Sequence, residues 1–162
     1  IMSRPVDVSK YALIYGGAQK NVGPAGVAFA IINKETLGKV SRYIPTMLNY
    51  QTHIDNGSMF NTPPCYTIYV AKLVLEWIKN EIGGLDKMKE LNEKKAKLLY
   101  DFLDSSKMFK GTVVKEDRSL MNVPFVTGDD ELDAKFVKEA TENGFVNIKG
   151  HRSVGWWCHC SE

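Results

Sequence analysis

Lys20 is the residue in this chain best placed to do chemistry. It lies in Ala-Leu-Ile-Tyr-Gly-Gly-Ala-Gln-Lys-Asn-Val-Gly-Pro-Ala-Gly-Val (residues 12–27), an apolar run that enters a glycine-rich turn and leaves as a second apolar run. The pattern predicts a stem packed among apolar neighbours and an amine that few waters reach. Desolvation disfavours an ammonium and frees the lone pair for attack on a carbonyl. A lysine that forms a Schiff base needs this, and lysines holding pyridoxal phosphate are the commonest users of the arrangement. The plainer alternative is a strand end with its amine in solvent, the usual state of a lysine. A phosphate-cradling loop would require Gly-Lys followed by Ser or Thr, whereas Gln19 precedes this lysine and Asn21 follows it.

Three further groupings carry possible chemistry. Asn61-Thr62 precedes Pro63-Pro64 and a long apolar-periodic stretch. Free amides and the positive end of a helix dipole there would suit a phosphate, although an ordinary capped helix explains the same residues. Gly150-His151-Arg152 follows a strand candidate and offers two groups for an anion, since arginine can grip a carboxylate or phosphate with two parallel bonds. An exposed loop pair is the alternative. Trp156-Trp157-Cys158-His159-Cys160 has soft ligands, but zinc sites use four ligands in separated pairs, so a disordered tail is expected.

These residues must be positioned by the elements between them. Tyr11–Tyr15 and Ala25–Ile32 read as strands buried on both faces, as in an α/β sheet. Lys34–Val40 suggests a short helix and Tyr43–Gly57 a polar loop. Thr62 is the expected N-cap of a helix with proline in its first turn. Its inward face would be Tyr66, Tyr69, Val70, Leu73, Val74, Trp77 and Ile78, and Gly83-Gly84 would end it. A second helix is expected over Leu85–Leu103, with Met88, Leu91, Leu98, Leu99, Phe102 and Leu103 inward and ion pairs Glu90–Lys94 and Glu93–Lys97 outward. Strands are expected at Gly111–Lys115 and Leu120–Val126, the latter pushed toward an edge or a bulge by Pro124. A helix from Asp130 to Asn143 with Gly144 after it and a strand over Phe145–Lys149 complete the order.

Composition sets the outer bounds. The 162 residues are 44% hydrophobic and 25% charged, ordinary for a globular protein. The formal charge of +2 arises from interspersed lysines and acids, so neither nucleic acid nor a membrane surface is an expected partner. No apolar run approaches the roughly 20 residues that span a bilayer. Three cysteines, Cys65, Cys158 and Cys160, fit a reducing compartment, and the cytoplasm is the expected location.

Taken together, residues 17–27, Asn-Gly-Ser-Met-Phe-Asn-Thr-Pro-Pro (56–64), Arg-Ser-Leu-Met-Asn-Val-Pro-Phe (118–125) and Gly-His-Arg-Ser-Val-Gly (150–155) closely resemble the phosphoserine aminotransferase family. The Lys-x-x-Gly-Pro-x-Gly element alone is shared with cysteine desulfurases, whereas Asn-Thr-Pro-Pro and Gly-His-Arg are specific. The resemblance implies an α/β, fold-type I transferase dependent on pyridoxal 5'-phosphate. Residues 1–82 would be the C-terminal portion of the large, mostly parallel sheet domain and 83–155 a small α/β C-terminal domain. It further implies Lys20 as the Schiff-base residue, Gln19 as a cofactor contact, and Asn61 and Thr62 as phosphate ligands across a homodimer interface. His151 and Arg152 would bind the substrate's phosphate or distal carboxylate. The implied substrates are phosphoserine, glutamate and their 2-oxo acids.

The chain also departs from the family. The family's upstream half, with the aspartate that pairs with the cofactor's ring nitrogen, has no counterpart here. After Gly155 the family continues through a second glycine toward an arginine for the substrate α-carboxylate. The expectation is therefore a fragment with little activity alone and an aberrant tail, residues 156–162, translated out of frame. Another class V enzyme such as a desulfurase would need a mobile cysteine, and Cys65 falls in an expected helix. A non-catalytic interaction module is the third alternative.

Overall fold

A computed structural model describes residues 2–146, 148 and 150 and the backbone of 156–159. It divides into two compact units, Ile1–Asp86 and Lys87–Glu162.

In the first unit β1 (Leu13–Gly17) pairs antiparallel with β2 (Ala28–Ile32), Leu13 opposite Ile32 and Gly17 opposite Ala28. Strands buried on both faces were expected, but the pair carries exposed side chains on both, with Tyr15 75% exposed. Two strands with one helix alongside cannot cover two apolar faces. The short helix expected over Lys34–Val40 is a single 3₁₀ turn, Lys34–Thr36, capped by Asn33. The expected loop over 43–57 instead contains a 3₁₀ turn, Thr46–Leu48, and helix α1, Tyr50–Asp55. Asn49 caps α1 by accepting from the Gln51 N–H, and Gln51 Nε2 donates to Asp55 Oδ1 one turn on, at 2.6 Å.

Helix α2 (Cys65–Trp77) begins later than expected, with Pro64 rather than Thr62 at the N-cap position and no side-chain cap. The physical reason is the proline pair: a residue before proline is pushed out of the helical region, so Thr62 and Pro63 stay outside the helix. Its covered stripe is Thr67, Val70, Ala71, Val74 and Ile78. Tyr66, Tyr69, Leu73 and Trp77, expected inward, are exposed. A helix apolar on every side gives periodicity little to choose between. The chain then makes one turn of π-helix, Ile78–Ile82, and Gly83 takes the left-handed φ of 88° that ends it.

In the second unit α3 (Leu85–Ser105) runs close to its expected length and buries Asn92, Ala96, Tyr100 and Leu103. Leu91, Leu98 and Phe102, expected inward, are exposed. Its ion pairs are Lys87–Glu90, Lys89–Glu93 and Lys97–Asp101, so both glutamates pair toward the N-terminus rather than with Lys94 and Lys97. Three antiparallel strands follow in the spatial order β3 (Lys110–Gly111), β4 (Asn122–Val126), β5 (Trp156–His159). Pro124 therefore sits in the central strand, not at an edge. β3 pairs through Lys110 opposite Val126 and Gly111 opposite Phe125, so no strand pairing on that side places a residue opposite Pro124. The strand at 156–159 replaces the disordered tail expected there; its backbone pairs Trp156 with Phe125 and His159 with Asn122.

Helix α4 (Asp130–Glu142) is capped by Asp129, which accepts from the Glu131 and Leu132 N–H groups, and Gly144 follows at φ 87°. The Phe145 N–H closes back on the Ala140 carbonyl at 3.0 Å, no strand is described at 145, 146 or 148, and the expected strand over 145–149 otherwise falls on residues outside those described. The core joins Ala96, Tyr100, Leu103, Val123 and Phe125 to Phe109 and Phe136. Rings of Phe109, Phe125 and Phe136 meet edge to face with centroids 5.1–5.8 Å apart.

Candidate active site

The first unit holds the Lys20 turn. Ala18 and Val22 are buried and tie the turn down, and the Ala18 N–H donates to the Val27 carbonyl at 2.8 Å. Between them the Gly23 N–H closes back on the Lys20 carbonyl at 3.2 Å. The turn lies against α2: a Cβ at Gly23 would come 3.4 Å from the Ala71 backbone and one at Gly26 3.5 Å from Thr67 Oγ1, ordinary contact distances. At Gly26 it is the φ of 120° that favours glycine.

The alternation that buries Ala18 and Val22 turns Gln19 and Lys20 outward, and both are exposed. The expected dry amine is not found in this chain. Its stem is not enclosed by the apolar runs, because their buried residues face α2 and nothing described lies over the other side.

Asn61 and Thr62 are exposed ahead of α2. Asn61 Nδ2 approaches Met47 Sδ at 3.5 Å, and His53 Nε2 donates to the Met47 carbonyl at 3.1 Å. The 46–48 turn and α1 thus brace the approach to α2. Gly57 and Ser58 both adopt left-handed backbone (φ 56° and 63°), reversing the chain after α1 so that Asn61 can precede α2. For Ser58 this conformation is strained. Met47 and His53 were not singled out from sequence; the Asn49 cap that creates α1 was the available signal. With no side-chain cap, the first turn of α2 keeps its N–H groups available to an anion.

No hydrogen bond among the described residues joins Lys20 or Gln19 to Asn61 or Thr62. The chain therefore presents two separate candidate half-sites: an exposed amine on a glycine-rich turn, and a helix start without a side-chain cap. Both fit a phosphate-bearing aldehyde cofactor in kind. His151 and Arg152 lie outside the described residues. Cys65 is the first residue of α2 and is exposed.

The aminotransferase class-V family matches residues 1–157. A phosphoserine aminotransferase of Bacteroides thetaiotaomicron is 60% identical over 157 residues, covering 96% of this chain and 44% of that protein. One of Bacillus cereus is 54% identical over 155 residues, covering 96% and 43%. Among solved structures, phosphoserine aminotransferase from Bacillus circulans subsp. alkalophilus superposes with a TM-score of 0.93 at 43% identity, over 98% of this chain and 44% of that one. A PLP-bound phosphoserine aminotransferase from Trichomonas vaginalis gives 0.89 at 38% identity, over 99% and 47%. The chain spans less than half the length of these relatives and matches their C-terminal part. The α/β architecture is accordingly that of fold-type I transferases.

Proposed function

The chain belongs to the aminotransferase class-V family, and from that premise we propose that it acts as part of a pyridoxal-phosphate-dependent phosphoserine aminotransferase. The reaction is reversible amino transfer between glutamate and 3-phosphohydroxypyruvate, giving O-phosphoserine and 2-oxoglutarate in serine biosynthesis. The observation that carries this reading is 60% identity, over nearly the whole chain, to a relative of that name.

When bound, pyridoxal phosphate takes up the electron pair left at the substrate Cα as its proton departs. The chain's own residues do the rest. Lys20 Nζ holds the cofactor covalently between turnovers, and once displaced it carries the proton away from the substrate Cα, so one amine serves twice. Gln19 contacts the cofactor beside it. Asn61 and Thr62, with the uncapped start of α2, bind the phosphate. They serve the site of a second copy, in a homodimer with shared active sites. His151 and Arg152 grip the substrate's phosphate or distal carboxylate. Residues 1–82 belong to the large cofactor domain and 83–155 to the small C-terminal domain. The setting is cytoplasmic and the substrates are small molecules; no described helix is long and apolar enough to cross a membrane.

The test joins this chain to the N-terminal part of the Bacteroides thetaiotaomicron relative in one polypeptide. The chimera is expected to form 2-oxoglutarate from glutamate only when 3-phosphohydroxypyruvate is present. Borohydride treatment after cofactor loading should place the label on Lys20, and Lys20→Ala should lower turnover by roughly 10²–10⁴-fold. Label spread over surface lysines with no turnover would remove the assignment.

A further inference from the structure

The chain contains two Asn-Gly pairs, Asn56-Gly57 and Asn143-Gly144. This dipeptide is the one most open to loss of the side-chain amide, because glycine has no side chain to crowd its nitrogen or restrict its backbone. Both pairs end a helix in the same way. Asn56 Nδ2 donates to the Thr52 carbonyl at 2.8 Å, and Asn143 Nδ2 donates to the Glu139 carbonyl at 2.8 Å. The Gly57 N–H closes on the Ile54 carbonyl at 3.1 Å and the Gly144 N–H on the Thr141 carbonyl at 3.0 Å. The next N–H, of Ser58 or Phe145, reaches back to the carbonyl of His53 or Ala140. Both glycines are left-handed, at φ 56° and 87°, and both asparagines are exposed.

This cap holds the reaction off. With ψ of 16° at Asn56 and 13° at Asn143, the following nitrogen is turned away from the side chain. Both reacting groups are also tied by hydrogen bonds, so cyclisation requires the last helical turn to open. The two sites differ in the helix behind the cap. Helix α1 has six residues and buries none, so little beyond its own bonds holds it. Helix α4 has 13 residues and buries Asp133, which accepts from the Thr127 N–H at 2.9 Å. Its Phe136 ring packs edge to face on Phe109 and Phe125.

We propose that Asn56 is a site of spontaneous deamidation gated by the opening of α1, and that α4 protects Asn143 in the same dipeptide and the same cap. The Gly57 nitrogen gives up its proton and bonds to Asn56 Cγ, and the side-chain nitrogen leaves with that proton as ammonia. Water then opens the cyclic imide. Breaking the bond from nitrogen to Cγ leaves aspartate. Breaking the bond from nitrogen to the main-chain carbonyl carbon leaves isoaspartate, with the backbone rerouted through Cβ and Cγ. Either product has a carboxylate in place of the Nδ2 donor, so the bond to the Thr52 carbonyl is lost. The reaction consumes only water, and the inference stands apart from the functional reading.

The experiment holds the full 162-residue chain at mildly alkaline pH and follows both asparagines over time by peptide mass spectrometry. Labelling with isoaspartyl methyltransferase identifies the rerouted product. Asn56 should convert at least about tenfold faster than Asn143 in the folded chain, and the two rates should converge in concentrated urea, where neither helix persists. Asn49→Ala removes the acceptor of the Gln51 N–H at the start of α1. It should speed conversion of Asn56 about fivefold, the factor of a lost N-cap, and leave Asn143 unchanged. Equal rates in the folded chain, an Asn56 rate indifferent to urea, or an Asn49→Ala variant that changes neither site or speeds both would each overturn the proposal.

Discussion

The two units are built on opposite economies. The second is closed on itself: Tyr100, Leu103, Val123 and Phe125 are buried together and three phenylalanine rings meet edge to face. Two of its polar groups are tied to the backbone, although Arg118 Nε is buried without a hydrogen-bond partner among the described residues. Tyr100 Oη donates to the Ser119 carbonyl at 2.8 Å, and Asp133 accepts from the Thr127 N–H at 2.9 Å. The first unit carries Lys20, Gln19, Asn61 and Thr62 but buries only Ala18, Val22 and Ile78 among its apolar side chains, and leaves Tyr66 76% exposed. The unit that carries the candidate site residues is thus the one with fewer buried apolar side chains among the described residues. A site assembled from several pieces of chain keeps its half-sites accessible, and accessible half-sites leave apolar surface for the other pieces to cover.

The largest effect should separate the units by core truncation. Phe125→Ala is expected to destabilise the second unit by about 3–5 kcal/mol, read as a loss of its urea transition. Tyr66→Ala in the same isolated chain should change stability by less than about 0.5 kcal/mol, because little is packed on that ring. Comparable losses from the two variants would break the contrast. Hydrogen exchange sharpens it without mutation. Amides of β4 and the buried side of α3 should exchange slowly, and those of β1 and β2 in the isolated chain at rates near those of an open segment.

Helix extents were easier to read in advance than helix faces. In the second unit the extents of α3 and α4 were legible, with Gly144 marking the end of α4, yet of the α3 face expected inward Leu91, Leu98 and Phe102 are exposed. In the first unit the face expected inward on α2 was half right: Val70, Val74 and Ile78 are covered, whereas Tyr66, Tyr69, Leu73 and Trp77 are exposed. Helix α1 was missed because a turn and a half gives periodicity too little length, and only the Asn49 cap announced it. The chemistry-bearing residue types were visible as motifs, since Lys20 and Asn61-Thr62 stand beside glycine and proline. Whether they meet was not visible, because no local pattern links a glycine turn before β2 to the start of α2 more than thirty residues later.

Capping offers a smaller effect of the same kind. Asp129 accepts two N–H groups at the start of α4, at 2.9 and 3.0 Å. Asp129→Ala should cost about 1 kcal/mol and appear wholly in the second unit's transition. No matching loss is available at α2, whose start has no side-chain cap to remove.

The smallest expected effect depends on pH. Arg118 donates to Asp104 through both terminal nitrogens, at 2.6 and 2.9 Å, and Lys115 reaches the same carboxylate at 3.1 Å. The hydrogen bond from Arg118, then that from Lys115, holds the Asp104 carboxyl well below the usual carboxylate range. A folded-state value lower than the unfolded one means that the unfolded chain takes up the proton first. The contribution is therefore fully present above the ordinary aspartate value of about 4 and drains away as pH falls below it toward the folded value. Unfolding of the second unit should show this loss on acidification, and Asp104→Asn should flatten the profile in that window while lowering stability modestly near neutrality. The pair is near the surface, so added salt should shrink the difference. A variant with an unchanged acid profile would show that the ion pair is as strong in the unfolded chain as in the folded one. The second unit's stability would then rest on its aromatic core alone.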